Sequence, residues 1–472
     1  MESALNRLKA RRPTGHRHLL TGSAVLVVGA GIQAVTGALF WLAAAKIDTK
    51  TNVGNATALY TSTLFGAYLA GLGLPVALAR YAADRSTDSD AVFSWSVLAT
   101  VVWSVVCSLA YVAVLAAMGV DAAKVLTDFN PILGPLLFAA MVVGAALSLI
   151  VDVRCMTVRR WNLVVGRIAL VGIVRIPLLY LVRDHEHRSL WLFVFAAGTT
   201  ALSGVLGAIW VTKVADGRHR LTPRPVHARA AMRYSAINYF STLGYQAPYF
   251  ALPVIVLTSV KANVNAVFYV AWGIVSVVFY VPSAIGQALL AEGGKDGAQV
   301  RAQTRLALML TLGLMAVATA AAFVGSSLVE TVYGAQYHDA TRILPTMMAA
   351  GIPWAITSIE LTEARVRHRS VVTVLITVVL TLAIIVPALV LVPGHVQGHA
   401  DGHGLDGAAK AWLLGNILAA AVAVVVSRVR RTSSTAHVRE DPILAANLAG
   451  AGAGDSVPLD VRDTEPVPHG SA

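Results

Sequence analysis

Two arginines stand inside one long apolar stretch. Arg167 and Arg175 lie within residues 162–182, where most neighbours are Val, Ile, Leu, Ala or Gly. A guanidinium stays charged at physiological pH and presents a flat fork of donors that matches carboxylates and phosphates. Charge buried in a bilayer is costly, so such a residue faces a polar cavity, an acid or an anionic ligand. Arg167 is near one end of the stretch and can extend toward water. Arg175 is eight residues short of Arg183, about 12 Å of helix, and Pro177 loosens its turn. An anionic cargo would give Arg175 a role, and an ion pair with Asp152 is the structural alternative.

Two further stretches carry polar and aromatic residues at helical spacing. In 266–290, Tyr269, Trp272, Ser276 and Tyr280 recur at steps of three or four, with Ser283 and Gln287 beyond them. In 233–259, Asn238, Tyr245 and Tyr249 share a face, with Gln246 beside it. Gln33 is the polar residue of the first stretch. A lipid-facing helix has no use for such a face, whereas rings beside amides suit sugars, which stack and hydrogen-bond together. The structural alternative is hydrogen bonding between packed helices. Gln33, Asn238, Tyr245, Gln246, Tyr249, Tyr269, Trp272, Ser276, Tyr280, Arg167 and Arg175 are the candidate cavity residues. Arg80, Asp84, Asp152, Glu292 and Glu360 sit at stretch ends beside other charges and read as a cytoplasmic gate.

Other chemistry is poorly supported. Gly29, Gly31 and Ala34 match a dinucleotide-binding fingerprint, but the chain after them stays apolar and no βαβ pattern follows. His395, His399 and His403 with Asp401 resemble a metal tract, yet glycines at 394, 398, 402 and 404 break the helix that would align them. No P-loop occurs, and Cys107 and Cys155 have neither zinc nor disulfide spacing. No metal, cofactor or catalytic residue is expected, and the chain does not read as an enzyme.

The elements that position these residues are bilayer spans. The chain has 472 residues, 56% hydrophobic and 13% charged, and a helix needs about 20 apolar residues to cross a bilayer. Twelve stretches qualify, near 19–45, 56–80, 92–118, 131–151, 162–182, 190–214, 233–259, 266–290, 303–328, 342–359, 370–392 and 407–427. Arg and Lys concentrate before the first stretch, after the even-numbered ones and after the last, which places both termini in the cytoplasm of a multi-pass plasma-membrane protein. The net charge of +12 is therefore topogenic, and no nucleic-acid partner is expected. The connections opposite are short, without a folded domain.

The first six spans echo the last six. Pro75 and Pro282 are 207 residues apart, and Asp152 and Glu360 are 208 apart. Gln33 and Gln246 each follow a Ser-Ala pair. Six spans per half bring both halves in from one side, so the repeats are parallel and related by an axis along the membrane normal. The expected organisation is a basic lead at 1–18, a first lobe at 19–215, a linker at 216–231, a second lobe at 232–430 and a disordered tail at 431–472. The fold class is all-α, with two six-helix lobes around a central cavity.

Short sequence pieces add a resemblance. These are Gly73-Leu74-Pro75-Val76-Ala77-Leu78-Ala79-Arg80-Tyr81, Arg159-Arg160-Trp161-Asn162-Leu163-Val164, Ala271-Trp272 with Val281-Pro282-Ser283-Ala284 and Ala291-Glu292-Gly293, and Tyr333-Gly334-Ala335-Gln336-Tyr337. In order and spacing the chain resembles the multidrug/oligosaccharidyl-lipid/polysaccharide (MOP) exporter superfamily, and within it the Wzx-type polysaccharide flippases. The resemblance implies alternating access and transfer of a lipid-linked oligosaccharide between leaflets, with glycosyltransferases or a polymerase as pathway partners. The first stretch has only Gln33 where drug exporters usually carry an acid. A cation-coupled exporter of small molecules is the alternative, and a non-transporting scaffold for envelope-polymer synthesis is a third reading.

Overall fold

The computed structural model describes residues 14–71, 74, 78, 89–157, 160–182, 185–214, 243–292, 297–367, 369–394 and 403–440. Pro75, Arg80, Asp84, Asn238, the linker and the tract at 395–402 lie outside these residues. All regular structure among them is helical.

The first group is α1 (Thr14–Ile47), α2 (Lys50–Ala70), α3 (Ser89–Ala117), α4 (Asp121–Phe129), α5 (Leu133–Thr157), α6 (Trp161–Leu178) and α7 (Arg188–Val214). The second is α8 (243–259), α9 (Ala262–Glu292), α10 (Gly297–Gly325), α11 (Ser327–Tyr333), α12 (His338–Ala349), α13 (Gly351–Val366), α14 (Ser370–Gly394) and α15 (His403–Glu440). A helix stands at each of the twelve expected spans. Eight contain a run long and apolar enough to cross a membrane, and Gly31–Ile47 of α1 is a shorter apolar run.

Two of the spans outside these eight have physical reasons for being less apolar or less continuous. α2 carries Asn55, Thr57, Thr61, Ser62 and Thr63, all buried in the bundle. A helix shielded from lipid can carry hydroxyls and amides, because neighbouring helices and its own carbonyls receive them. The tenth span is α12 and α13, divided at Ala350. Pro353 has no N–H to offer the Ala349 carbonyl, so one rung of the ladder is missing there.

Three details add to the layout read from the sequence. The connections after the third and ninth spans hold short helices, α4 and α11. Each lays a few apolar residues on the bundle: Ala122, Ala123 and Leu126 in α4, and Val329 in α11. Their starts, Asp121 and Ser327, are 206 residues apart, so the repeat includes them. The basic lead is helical from Thr14. The last helix continues to Glu440, into the region expected to be disordered. No Gly or Pro follows Arg428 until Pro442, and nothing earlier stops the helix.

Small residues set the packing within each group. A Cβ on Gly204 would stand 2.0 Å from the Gly144 carbonyl, which brings α7 against α5. A Cβ on Gly415 would stand 2.5 Å from the Ala383 carbonyl, which does the same for α15 and α14. Lipid gives helices no hydrophobic reason to associate, so close backbone approach supplies dispersion contact instead.

Candidate substrate site between the helix groups

Arg167 and Arg175 occupy different environments although they share α6. Arg167 Nε donates to Asp152 Oδ1 at 3.0 Å, Nη1 donates to Ser203 Oγ at 2.9 Å, and Nη2 reaches Asp152 Oδ2. This bidentate pair is largely buried inside the first group. The alternative pairing of Asp152 with Arg175 does not form. α5 and α6 are an antiparallel hairpin, and Asp152 and Arg167 stand at similar distances from its turn. Arg175 is eight residues further along, about 12 Å.

Arg175 has no carboxylate partner among the described residues. It is 4% exposed. Its Nη2 donates to Thr36 Oγ1 at 3.3 Å, and its Cζ lies 5.6 Å from the centre of the Phe40 ring. Gly37 makes room for it: a Cβ there would stand 3.2 Å from Nη2. Nε finds no acceptor among the described residues. Among the described residues the guanidinium is thus met by one hydroxyl and one ring face. Tyr269 of α9, in the second group, is within electrostatic reach of it.

That reach across the groups is part of a longer seam. Trp41 packs edge-on against Tyr60 at 5.7 Å and against Tyr269 of the other group at 5.5 Å. The Tyr269 hydroxyl is in polar contact with Thr61. Tyr68 packs against Phe250 at 4.8 Å, and its hydroxyl is in polar contact with Gln246. Asn265 Nδ2 donates to the Gly54 carbonyl at 3.1 Å, and Lys50 Nζ donates to the Gln336 carbonyl at 2.9 Å. The seam thus joins α1 and α2 to α8 and α9, and it alternates rings with amides and hydroxyls.

The structure divides the expected cavity residues. Tyr269 and Gln246 reach the first group. Tyr249 is half-buried, 4.9 Å from the Trp272 ring and in polar contact with Ser276. Trp272 is buried against Phe268 at 5.7 Å and Trp412 at 5.0 Å, inside the second group. Tyr245 also turns into that group: its hydroxyl shares a 2.9 Å hydrogen bond with Ser283 Oγ and stands 3.4 Å from Ser358 Oγ. The Arg365 guanidinium lies 5.7 Å over its ring. Tyr280 and Gln33 are exposed. Of the gate residues, Asp152 is the partner of Arg167, Glu360 is half-buried in α13, and Glu292 ends α9.

Trp41, Tyr60 and Tyr68 were not expected at the site. Trp41 and Tyr60 flank the connection between the first two spans and read as interfacial aromatics. One signal could have found the region: Lys50-Thr51-Asn52-Val53-Gly54-Asn55-Ala56 recurs as Lys261-Ala262-Asn263-Val264-Asn265-Ala266.

No protein-family model and no curated protein matches the sequence. Solved structures do. The chain is similar to an inward-facing multidrug resistance MATE family transporter of the MOP superfamily, with a TM-score of 0.61 and 17% identity over 85% of this chain and 95% of that one. It is similar to a MATE structure in complex with MaD5, at TM-score 0.61 and 16% identity over 89% and 97% of the two chains. A MATE in the bent conformation gives 0.58 and 15% over 89% and 96%. This chain has the fold of the MATE transporters, that of a polytopic all-helical membrane protein.

Proposed function

We propose that the chain is a secondary transporter that exposes the seam between its helix groups to each side of the plasma membrane in turn, with both termini cytoplasmic. The cargo is a small amphiphilic molecule. The likeness to multidrug transporters supports small-molecule export better than it supports movement of a lipid-linked sugar. The observation that carries the reading is the seam itself, where Trp41, Tyr60, Tyr68 and Tyr269 alternate with Gln246 and Thr61. Such a surface offers apolar faces with a few fixed polar groups, the usual make-up of a small-molecule site. α1 has no carboxylate along its length, so a coupling cation would be held elsewhere.

One observation favours a second reading. Arg175 is buried, charged and without a carboxylate partner among the described residues, which suits an anionic cargo such as the phosphate of a lipid-linked oligosaccharide. The two readings separate in one experiment. Cells lacking the gene are compared for accumulation of cationic and anionic amphiphilic dyes and for surface polysaccharide. Dye accumulation with normal polysaccharide supports export of small molecules. Loss of polysaccharide with unchanged dye levels supports the flippase, and no change in either removes both.

A further inference from the structure

The two groups approach most closely where α2 meets α9, and the touching segments are copies of one sequence. Lys50-Thr51-Asn52-Val53 and Lys261-Ala262-Asn263-Val264 open the helices, followed by Asn55-Ala56 and Asn265-Ala266. Gly54 is the one insertion between the copies, and it is the point of contact. A Cβ on Gly54 would stand 1.8 Å from the Ala262 carbonyl oxygen and 2.6 Å from its carbon. Backbone lies on backbone here, and a side chain at 54 would force the groups apart.

The Gly54 carbonyl accepts from two side chains, Thr57 Oγ1 of its own helix at 2.9 Å and Asn265 Nδ2 of the other group at 3.1 Å. Asn265 is 2% exposed. The start of α2 is meanwhile fixed to its own group. Asn52 Nδ2 donates to Asp48 Oδ1 at 2.7 Å, and Ser189 Oγ donates to Asn52 Oδ1 at 2.8 Å. Lys50 and the Gln336 carbonyl tie the connection after α11 to the same point.

We infer that the Gly54–Ala262 contact, fastened by Asn265, is a latch that holds this end shut and parts when the helix groups swing away from each other. Its construction suits release. The junction is specific in shape because only glycine admits the carbonyl. It holds through a neutral hydrogen bond from Asn265 and an exposed one from Lys50 to the Gln336 carbonyl, so parting returns Lys50 to water and strands no buried charge. When Asn265 leaves, Gly54 keeps Thr57 as a donor, and water entering the opened end meets the freed amide. The inference rests on the alternating-access reading, but its readout needs no cargo, so an error in the cargo leaves it standing.

The test is cysteine accessibility in membranes. Cys107 and Cys155 are the two cysteines of the chain and are replaced by serine. Thr61→Cys then reports on the seam, since Thr61 is 5% exposed and lies two turns along α2 from Gly54. A membrane-impermeant maleimide is added from each side in turn. Labelling from the side of the 48–49 and 260–261 connections should be slow in this parent. Gly54→Leu should raise it several-fold, and Asn265→Ala should raise it less. Equal labelling in all three would overturn the latch. If Gly54→Leu fails to reach the membrane, Asn265→Ala decides alone, because it removes the bond without adding bulk, and unchanged labelling would again overturn the proposal.

Discussion

Arg167 grips both carboxylate oxygens of Asp152, which leaves Arg175, two turns further along the same helix, without an acid among the described residues. The two arginines should therefore fail in different ways. Arg167→Ala strands a carboxylate in the interior of the first group, which costs on the order of 3 kcal/mol. It should lower the melting temperature in detergent and the amount of protein in the membrane. Arg175→Ala removes a charge that no acid among the described residues balances, so melting should change little. If the cargo is anionic, its affinity should fall by about tenfold or more, the usual weight of a charge-assisted hydrogen bond. Thermal melts beside a transport assay for each variant check both halves of the claim.

The second group supplies a contrast. Tyr245 hydrogen-bonds Ser283 within its own group, so Tyr245→Phe should cost about 1 kcal/mol of stability and leave transport near the parent level. Tyr269 faces Trp41 and Thr61 of the other group, so Tyr269→Ala should impair transport more than stability. Initial rates normalised to folded protein separate the two. Equal losses from both variants would place Tyr245 at the site as well.

Gly37 leaves the space that the Arg175 guanidinium occupies. Gly37→Ala adds a methyl 3.2 Å from Nη2, a distance that a long side chain can accommodate by a small shift. Transport should weaken less than with Arg175→Ala, while Gly37→Val, which adds bulk that cannot be cleared, should approach it. A graded series in transport at constant expression is the outcome expected.

Outside the membrane, Glu330 beside His338 raises the imidazole above its ordinary value near 6.5, chiefly through the 2.8 Å hydrogen bond between them and then through its charge. The charged imidazole is favoured in the folded protein, so the contribution is fully present below the ordinary histidine value. It fades as pH rises through the raised one. Both side chains are exposed, so the effect is small. Melting temperatures of the parent minus those of His338→Ala, followed from pH 5 to 8, should show a small positive difference at the acid end that declines upward.

The sequence made the helix layout legible because hydropathy and the alternation of Arg and Lys depend on the bilayer, which acts on every span alike. It did not disclose the break at Ala350, since one missing rung opposite Pro353 leaves the apolar run intact. The pairing of Asp152 also escaped, because both arginines are chemically suitable and only the level of each along the hairpin decides. At the seam, the aromatic stripe of 266–290 was legible as a face. Which residues of this stripe and of the one in 233–259 turn outward from the second group was not, for Trp272 and Tyr245 are claimed by Trp412 and Ser283, far away in sequence. Gly54 looks like an ordinary helix-start residue until the carbonyl of Ala262 is placed against it.

The central claim is that the two helix groups move apart at the α2–α9 junction. Thr51 and Asn263 are exposed, and they stand at the openings of α2 and α9, one in each group. Spin labels on Thr51→Cys and Asn263→Cys, in the cysteine-free background and in lipid, give the distance between them by pulsed electron paramagnetic resonance. The account predicts a short-distance population matching the closed junction beside a longer one, with the longer one growing in Gly54→Leu. A single short distance in both proteins would contradict it.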